Sequence, residues 1–455
     1  MTHGRQRHFT ITLVPLLVLA MACSPTPEPE APDQASPAAA VDAPATDPAL
    51  VPGRQFSEED EAEYLVRFQR LAEGGQTGLG LLMYDPLEAV PGAVEVVPFE
   101  PIEPGSGRIE TQALRDIEAF AAERNSSALM VWRDGVLELE RYFGEYDRDT
   151  PIVSRSLAKP LTGIAVGRAL KLGYIESLDQ PVADFVTEWQ GDALREQMLI
   201  RHLLDMRTGF LPQGLAFEPE HILNRAYLHP RHDEVIIHDY PLVDPPGTRY
   251  EYSNATSEMV AVVIERATGM RYAEFLSQEL LKPLGAAGGD VWINRPGGMA
   301  HSGCCILLPG QTWLRLALLL LDDGSWDDVR LLPEGFVDEM TRGTPQNERY
   351  GLGVYVAGEF IERRGFANPE RQAQFGILGV LHSEPYLADD LFLFDGNSNQ
   401  VVYIVPSERL VILRTGGAPP QDLEWDNSVL PNLAIAGTRR EEGETMPTPQ
   451  RVPGS

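Results

Sequence analysis

A serine and a lysine three positions apart, in the run Ser156-Leu157-Ala158-Lys159, could perform chemistry together. On a helix, this spacing places the hydroxyl and the amine on one face of one turn. That is the arrangement of a nucleophile beside its own base. The chain has only three lysines, and the arginines that supply its other positive charge do not release their protons in proteins. The alternative is a helix whose serine caps the N-terminus and whose lysine is solvated.

The elements that must position this pair can be predicted from the hydrophobic pattern. Residues 156–172 are predicted to form a helix. Asp134-Gly135 separates two apolar runs and is a strong hairpin signal, and a second strand pair is predicted near the C-terminus. The four predicted strands cover residues 127–133, 136–142, 401–405 and 410–415. Strands at both ends with helices between them predict one antiparallel sheet with a mainly helical insertion.

Further motifs follow the serine–lysine pair along the chain. They include Tyr252-Ser253-Asn254 and Tyr350-Gly351-Leu352-Gly353. The full set lies at residues 128–135, 140–143, 156–160, 202–209, 245–254 and 350–353. Together, and in this order, these motifs resemble the β-lactamase-related serine hydrolases, which include class C β-lactamases, D-Ala-D-Ala carboxypeptidases, β-lactamase-fold esterases and aminohexanoate-oligomer hydrolases.

The resemblance covers about residues 109–420 and is nearest to the aminohexanoate-oligomer hydrolase branch. It implies an α+β protein with the β-lactamase/DD-peptidase-like fold. In that fold an antiparallel sheet is flanked by helices, and a mainly helical subdomain is inserted.

The resemblance also implies roles for four residues, which their chemistry supports. Ser156, at a helix N-terminus, is the expected acyl-accepting nucleophile, and Lys159 is its base if burial and neighbours lower its pKa. Tyr252 is expected to shuttle the proton to the leaving group, with its phenolate favoured by the neighbouring ammonium. Asn254 is expected to hydrogen-bond Lys159 or the substrate. The alternatives are a core tyrosine and a turn asparagine.

A third family motif is matched less closely, by the run from Gly396 to Gln400. Here Asn397 and Ser398 are expected to face the substrate, and Asn399 stands where the family has a glycine. The backbone N–H groups of Ser156 and Gln400 are the expected oxyanion hole. The cationic first residue of penicillin-binding enzymes is missing, which argues against recognition of a β-lactam or peptide carboxylate.

Composition excludes one class of partner and leaves others open. The chain has 455 residues and a net charge of −30, so it offers no basic surface for nucleic acid. No cluster of His, Cys or Glu has metal-ligand spacing, and we expect neither a metal nor a cofactor. His202 is expected to be structural. Cys304 and Cys305 are expected to be small buried residues that do not pair, since a bond between neighbours is strained.

The N-terminus resembles a bacterial export signal. Arg5 and Arg7 precede an apolar run at 9–21 that is too short to span a bilayer. The run ends in Ala22-Cys23, which resembles a lipobox with Cys23 as the lipidated residue. Ser24 follows, which favours the outer membrane, facing the periplasm. The alternative is plain secretion.

The predicted organisation has five parts. A signal peptide (1–23) precedes a disordered tether (24–52) and an N-terminal extension (53–108). The serine hydrolase domain (109–436) follows, and a disordered tail (437–455) ends the chain.

The leading hypothesis is therefore a serine hydrolase that cleaves a small ester or amide through an acyl-enzyme on Ser156. The alternatives are a cell-wall D-Ala-D-Ala carboxypeptidase or β-lactamase, and a catalytically silent scaffold of the same fold. The charged and aromatic stretch 361–394 is expected to cover the site.

Overall fold

A computed structural model describes residues 53–74, 84–212, 216, 218–365, 368, 370, 373 and 379–454. All of them lie in one compact unit, Thr46–Ser455. The predicted signal peptide, the tether and Cys23 lie outside the described residues. Among the helices that are described, none has the length and apolar character needed to cross a membrane.

A six-stranded antiparallel sheet joins the two ends of the domain. Its strand order is β3-β2-β14-β13-β12-β9, so the predicted N-terminal hairpin lies directly beside the predicted C-terminal pair. Asp134 and Gly135 both have positive φ, as a tight hairpin turn requires. The strands of this sheet are β2 (Ser126–Arg133), β3 (Val136–Tyr142), β9 (Tyr355–Val356), β12 (Phe392–Gly396), β13 (Gln400–Val405) and β14 (Leu410–Gly416).

The sheet is buried on both faces because its apolar side chains alternate between two cores. On β2, Met130 faces one core while Leu129 and Val131 face the other. The first core is filled by α3 (Ala158–Leu172), α7 (Asn254–Thr268) and α9 (Gly310–Leu321). The second is filled by α2 (Thr111–Ala122) and α11 (Val429–Ala436).

The segment between the two halves of the sheet is mainly helical, as the sequence predicts, and it places α7 against α3. Short helices connect the longer ones. The remaining helices are α1 (Glu58–Gly74), α4 (Ile200–Leu204), α5 (Ile222–Leu228), α6 (His232–His238), α8 (Tyr272–Leu276) and α10 (Phe336–Met340).

A second, four-stranded sheet includes β4, the strand directly before the Ser156 turn. This sheet also shows that the folded domain begins before the predicted boundary at residue 108. Its order is β1-β5-β6-β4, so the segment 84–108 supplies a strand of the folded domain rather than a separate N-terminal extension. The reason is apolar burial, since Tyr84 and Val90 are almost fully covered. The strands are β1 (Leu87–Val90), β4 (Ile152–Val153), β5 (Gly289–Trp292) and β6 (Ile306–Leu308). Two small antiparallel pairs add β7 (Ser325–Trp326) with β8 (Val329–Arg330), and β10 (Arg363–Arg364) with β11 (Val380–Leu381).

The C-terminal tail was predicted to be disordered, and this prediction is wrong for residues 437–454. The tail is paired through backbone hydrogen bonds: Gln450 N donates to Tyr386 O at 2.9 Å, and Asp389 N donates to Thr448 O at 2.8 Å. The Gln450 side chain is buried and donates to Ala357 O. Composition alone did not reveal these partners, because polar residues can be ordered by hydrogen bonds to a preformed surface.

Candidate active site

Ser156 lies in a short 3₁₀ turn, Arg155–Leu157, between β4 and the start of α3. Arg155 has a positive φ of 52°, a conformation that is costly for a residue with a side chain. The turn is fixed from behind by the Ser154 hydroxyl, which accepts hydrogen bonds from Cys305 N and Ile306 N at 3.1 Å each. Ser156 is thus held at the N-terminal end of the helix that carries Lys159.

Lys159 is buried and makes three hydrogen-bond contacts. Its Nζ lies 2.8 Å from Asn254 Oδ1, 2.9 Å from Gly303 O and 3.2 Å from Ser156 Oγ. An uncharged amine has two N–H groups and one lone pair. Because Asn254 and Gly303 offer only acceptors here, the two N–H groups point at them and the lone pair points at the Ser156 hydroxyl.

The protonation of Lys159 follows from its surroundings. Burial lowers the pKa of Lys159 from its ordinary value of 10.5 to about 7, although the charge of Glu258 opposes this shift. The amine can therefore be uncharged near neutral pH. This is the condition for a lysine to serve as a base.

Tyr252 completes the group around Ser156. Lys159 Nζ lies 4.8 Å from the centre of the Tyr252 ring, and the phenol hydrogen-bonds Ser156. The prediction that the ammonium would favour the phenolate is wrong for the resting protein. Burial raises the pKa of Tyr252, and the hydrogen bond to Ser156 offsets this only in part. The phenol is therefore protonated in the resting site.

The third motif lies beside the nucleophile, but its close-contact residue is Gly396 and not Asn399. A Cβ on Gly396 would lie 2.9 Å from Ser154 O, 3.1 Å from Leu157 N and 3.3 Å from Ser156 N, so only glycine fits there. Asn399 has a positive φ of 58° and belongs to the turn between β12 and β13. The glycine of this motif that lies against the nucleophile turn is therefore Gly396, three positions before Asn399.

Asn397 and Ser398, which were expected to face the substrate, lie in the turn between β12 and β13. The Asn397 carbonyl Oδ1 accepts from Ser398 N at 2.9 Å, which fixes the turn. The backbone oxygens of Ser398 and Asn399 accept from the buried Arg414. Within the described residues, no hydrogen bond joins Asn397 or Ser398 to Ser156 or Lys159.

The hydrogen bonding of β12 bears on which backbone N–H group can join that of Ser156 in the predicted oxyanion hole. Gln400 is paired with Gly396 in the ladder, and its side chain donates to Val153 O at 2.7 Å. Leu391 O accepts from Ala357 N on the opposite edge of β12. Because backbone groups alternate along a strand, Asn397 continues the Leu391 edge while Gln400 faces the ladder. This register favours the N–H group of Asn397 over that of Gln400 as the partner of the Ser156 N–H group.

A loop that the sequence analysis did not assign to the site, Gly303-Cys304-Cys305, forms its rear boundary. Gly303 accepts the Lys159 hydrogen bond, and a Cβ there would lie 2.6 Å from Ser257 Oγ. Both cysteines are buried, as predicted, but they form a disulfide with each other, so the expectation that they do not pair is wrong in this structure. Cys305 has a positive φ of 68°.

Three buried side chains behind this loop, His232, Glu258 and His301, form a cluster that the sequence did not reveal. His232 Nε2 is 3.8 Å from Glu258 Oε2, and His301 Nδ1 is 3.7 Å from Glu258 Oε1. The residues come from α6, α7 and the loop before β6, so no local spacing connects them. His202 is not part of this cluster; its Nδ1 accepts from Leu199 N beside α4.

The stretch that was expected to cover the site is only partly described. Its Arg364 is buried, forms an ion pair with Asp395 of β12 and lies 4.0 Å from the centre of the Tyr355 ring. Asn368 of the same stretch donates to Tyr250 O at 3.0 Å. The segment therefore contacts the strand and the tyrosines that surround the site.

Comparisons with known proteins agree with this geometry. The β-lactamase family model matches residues 114–301. The 6-aminohexanoate-dimer hydrolase of Paenarthrobacter ureafaciens is 25% identical over 283 residues, which are 57% of this chain and 67% of that protein. This relationship supports the aminohexanoate-oligomer hydrolase branch of the resemblance.

Solved structures share the fold at low sequence identity. A proposed 6-aminohexanoate-dimer hydrolase from Bacillus anthracis is similar with a TM-score of 0.58 and 17% identity, over 78% of this chain and 91% of that one. EstCE1, a hydrolase with promiscuous acyltransferase activity, is similar with a TM-score of 0.52 and 14% identity, over 72% and 98% of the two chains. The predicted fold class is confirmed.

Proposed function

We propose that the chain is a serine hydrolase of the β-lactamase-fold family that cleaves a small ester or amide through an acyl-enzyme on Ser156. The observation that carries this proposal is the coordination of Lys159. Its Nζ lies within hydrogen-bond distance of two acceptors, Asn254 Oδ1 and Gly303 O, and of Ser156 Oγ, so an uncharged amine that donates to the two acceptors directs its lone pair at the serine.

The proposed acylation step uses these contacts directly. Lys159 takes the proton of Ser156 as Oγ attacks the substrate carbonyl carbon. The negative charge that develops on the carbonyl oxygen is stabilised by the N–H groups of Ser156 and Asn397. As the tetrahedral intermediate collapses, the Tyr252 phenol donates its proton to the leaving group and regains one from Lys159. Water then releases the acyl group from Ser156 by the reverse path.

The surroundings favour a substrate without an essential carboxylate. Two positions before Gly396, where penicillin-binding enzymes carry a lysine, this chain has Phe394, which is fully buried. The nearby Arg364 is neutralised by Asp395. Because these positions offer no free cation to a carboxylate, esters and linear amides fit better than penicillins or D-Ala-D-Ala peptides.

The test compares hydrolysis of p-nitrophenyl butyrate, 6-aminohexanoate dimer and nitrocefin by the purified protein and by Ser156→Ala. Ser407→Ala, an exposed serine in the turn after β13, is the matched control. We expect the ester or the amide to be cleaved by the wild type and the control only. Equal turnover by Ser156→Ala would exclude the proposal, and preferential cleavage of nitrocefin would favour the β-lactamase alternative. Folded wild-type protein that cleaves none of the three would favour the scaffold alternative.

We also propose that the protein is exported and anchored through a lipid on Cys23, on the basis of the lipobox-like sequence. Expression in a Gram-negative host with labelled palmitate tests this. Label and membrane recovery should be present in the wild type and absent in Cys23→Ser. Equal recovery of both proteins in the soluble periplasmic fraction would support plain secretion instead.

A further inference from the structure

Glu258 is a buried carboxylate that the acylation chemistry described above does not use. It lies on α7, one turn after Asn254, and is 1% exposed. It is also adjacent to the loop that binds Lys159, since a Cβ built on Gly303 would lie 3.4 Å from Glu258 Oε1. One helix and one loop therefore connect the carboxylate to two of the three groups that hold the Lys159 amine.

The two histidines beside Glu258 do not neutralise it. Burial lowers the pKa of His232 to about 3 and holds the pKa of His301 well below its ordinary value. Both rings are therefore neutral at physiological pH. Burial raises the pKa of Glu258, and His232 and Lys159 oppose this rise.

Of the titratable groups around the cluster, Lys159 is the one that can carry a positive charge near neutral pH and lower the pKa of Glu258. Tyr227 and Tyr272 face the carboxylate, and burial raises the pKa of both phenols, which stay neutral. The remaining charges act on the histidines and not directly on Glu258: Arg67 and Asp233 at His301, and Asp233 and Arg295 at His232. Within the described residues, His232 and Lys159 are the groups whose charges lower the pKa of Glu258, and Lys159 is the one of the two that titrates near neutral pH.

One ligand atom from each of the three residues lies within 4.8 Å of the others, but the orientation of the two histidine rings does not favour a metal site. The His232 and His301 rings are stacked, with centres 4.1 Å apart and planes 13° apart, so their in-plane lone pairs run nearly parallel and do not converge. A metal-binding histidine normally donates its second ring nitrogen to a partner. His232 Nδ1 and His301 Nε2 have no hydrogen-bond partner among the described residues. An electrostatic role fits this arrangement better than coordination.

We propose that Glu258 is a positioning residue that sets the charge of Lys159 from behind the Gly303 loop, and thereby sets the pH at which Ser156 becomes nucleophilic. This inference rests on the proposed serine hydrolase function. A negative charge near an amine favours the protonated form, so removing it releases the free base at lower pH. Because the two groups titrate together, the observable is the acid limb of the pH profile and not a pKa of either residue alone.

The experiment measures the rate of Ser156 labelling by a fluorophosphonate between pH 5 and pH 9. In Glu258→Gln we expect the acid limb to move about one pH unit lower than in the wild type, which is the shift expected for one nearby charge. At a given pH below the limb, the labelling rate of this variant, taken as a fraction of its plateau rate, should be about tenfold larger than that of the wild type. Glu258→Asp, which keeps the charge, should retain the wild-type limb more closely than Glu258→Gln. Glu265→Gln makes the same chemical change on α7 at a carboxylate paired with Arg271, and should not move the limb.

Glu258→Leu provides a second measurement if the glutamine variant does not fold, because it removes the charge without adding a buried amide. An unchanged acid limb in a folded Glu258→Gln or Glu258→Leu overturns the inference while Ser156 labelling still supports the hydrolase. Absence of labelling in the wild type at every pH rejects the proposed function itself. One equivalent of divalent metal in the purified wild type, lost in Glu258→Gln, would also overturn the inference in favour of coordination.

Discussion

Replacing Gly396 by alanine tests whether the third motif positions the nucleophile through close contact. The new Cβ would lie 2.9 Å from Ser154 O and 3.3 Å from Ser156 N, whereas ordinary contacts begin near 3.4 Å. The nucleophile turn must therefore retreat by about 0.5 Å. Since a displacement of about 1 Å costs roughly 100-fold in rate, we expect kcat/KM for the preferred ester or amide to fall about tenfold. Overpacking should also cost about 1–3 kcal/mol of stability.

The matched control is Gly417→Ala, just beyond the end of β14. Its Cβ would meet its nearest neighbour at 3.8 Å, which is ordinary van der Waals contact. Steady-state kinetics and urea denaturation on both variants separate a loss of rate from a loss of folded protein. If Gly396→Ala retains the kcat/KM of the wild type and of the control, then β12 does not constrain Ser156 as argued here.

Three further predictions concern the charged and phenolic groups. Tyr252→Phe should lower kcat by about 10²–10⁴-fold with little change in KM. Tyr350→Phe removes a buried hydroxyl that makes no hydrogen bond within the described residues, and its kcat should stay within about twofold of the wild-type value. Equal effects of the two substitutions in steady-state assays would contradict a special role of Tyr252. Because the pKa of Lys159 is lowered, the unfolded chain binds more protons than the folded one between pH 7 and 10.5. The wild type should therefore gain stability relative to Lys159→Met as pH rises through that window. A difference in urea denaturation that does not depend on pH would contradict a buried free amine. Arg364→Met should cost about 2–4 kcal/mol because it leaves the partly buried Asp395 without its partner. Arg364→Met/Asp395→Asn should recover part of this loss. Equal losses in urea denaturation would show that the two charges are not coupled.

The parts of the fold that local patterns determine could be predicted from the sequence. The hairpin at Asp134-Gly135, the helix after Ser156 and the pairing of the two chain ends all follow from turn chemistry and hydrophobic period. The C-terminal tail and the strand near Val90 could not be predicted, because their order depends on partners far away in sequence.

The candidate site divides in the same way. Ser156, Lys159, Tyr252 and Asn254 belong to recognisable motifs, and the structure brings all four together. Their catalytic roles stay predictions. Gly396 was missed because a close backbone approach to another element leaves no local signal, and only the register of β12 against β13 shows which glycine lies beside the nucleophile.

The cluster of Glu258, His232 and His301 was missed for a related reason. Its members are isolated polar residues in separate apolar segments, and sequence spacing reveals metal or charge clusters only when the residues share one helix or loop. The phenolate expected for Tyr252 was wrong because a motif indicates the neighbouring ammonium but not the depth of burial, which dominates the pKa of that phenol.

The most direct test of the central claim is to trap the acyl-enzyme-like adduct and locate it. The purified protein is treated with a fluorophosphonate at pH 8, and the intact mass and peptide map are recorded for the wild type, Ser156→Ala, Lys159→Met and Ser407→Ala. The account predicts one adduct, on the peptide that contains Ser156, which forms equally in Ser407→Ala, forms much more slowly in Lys159→Met and is absent from Ser156→Ala. An adduct on another residue, or equal labelling of Ser156→Ala, would contradict it.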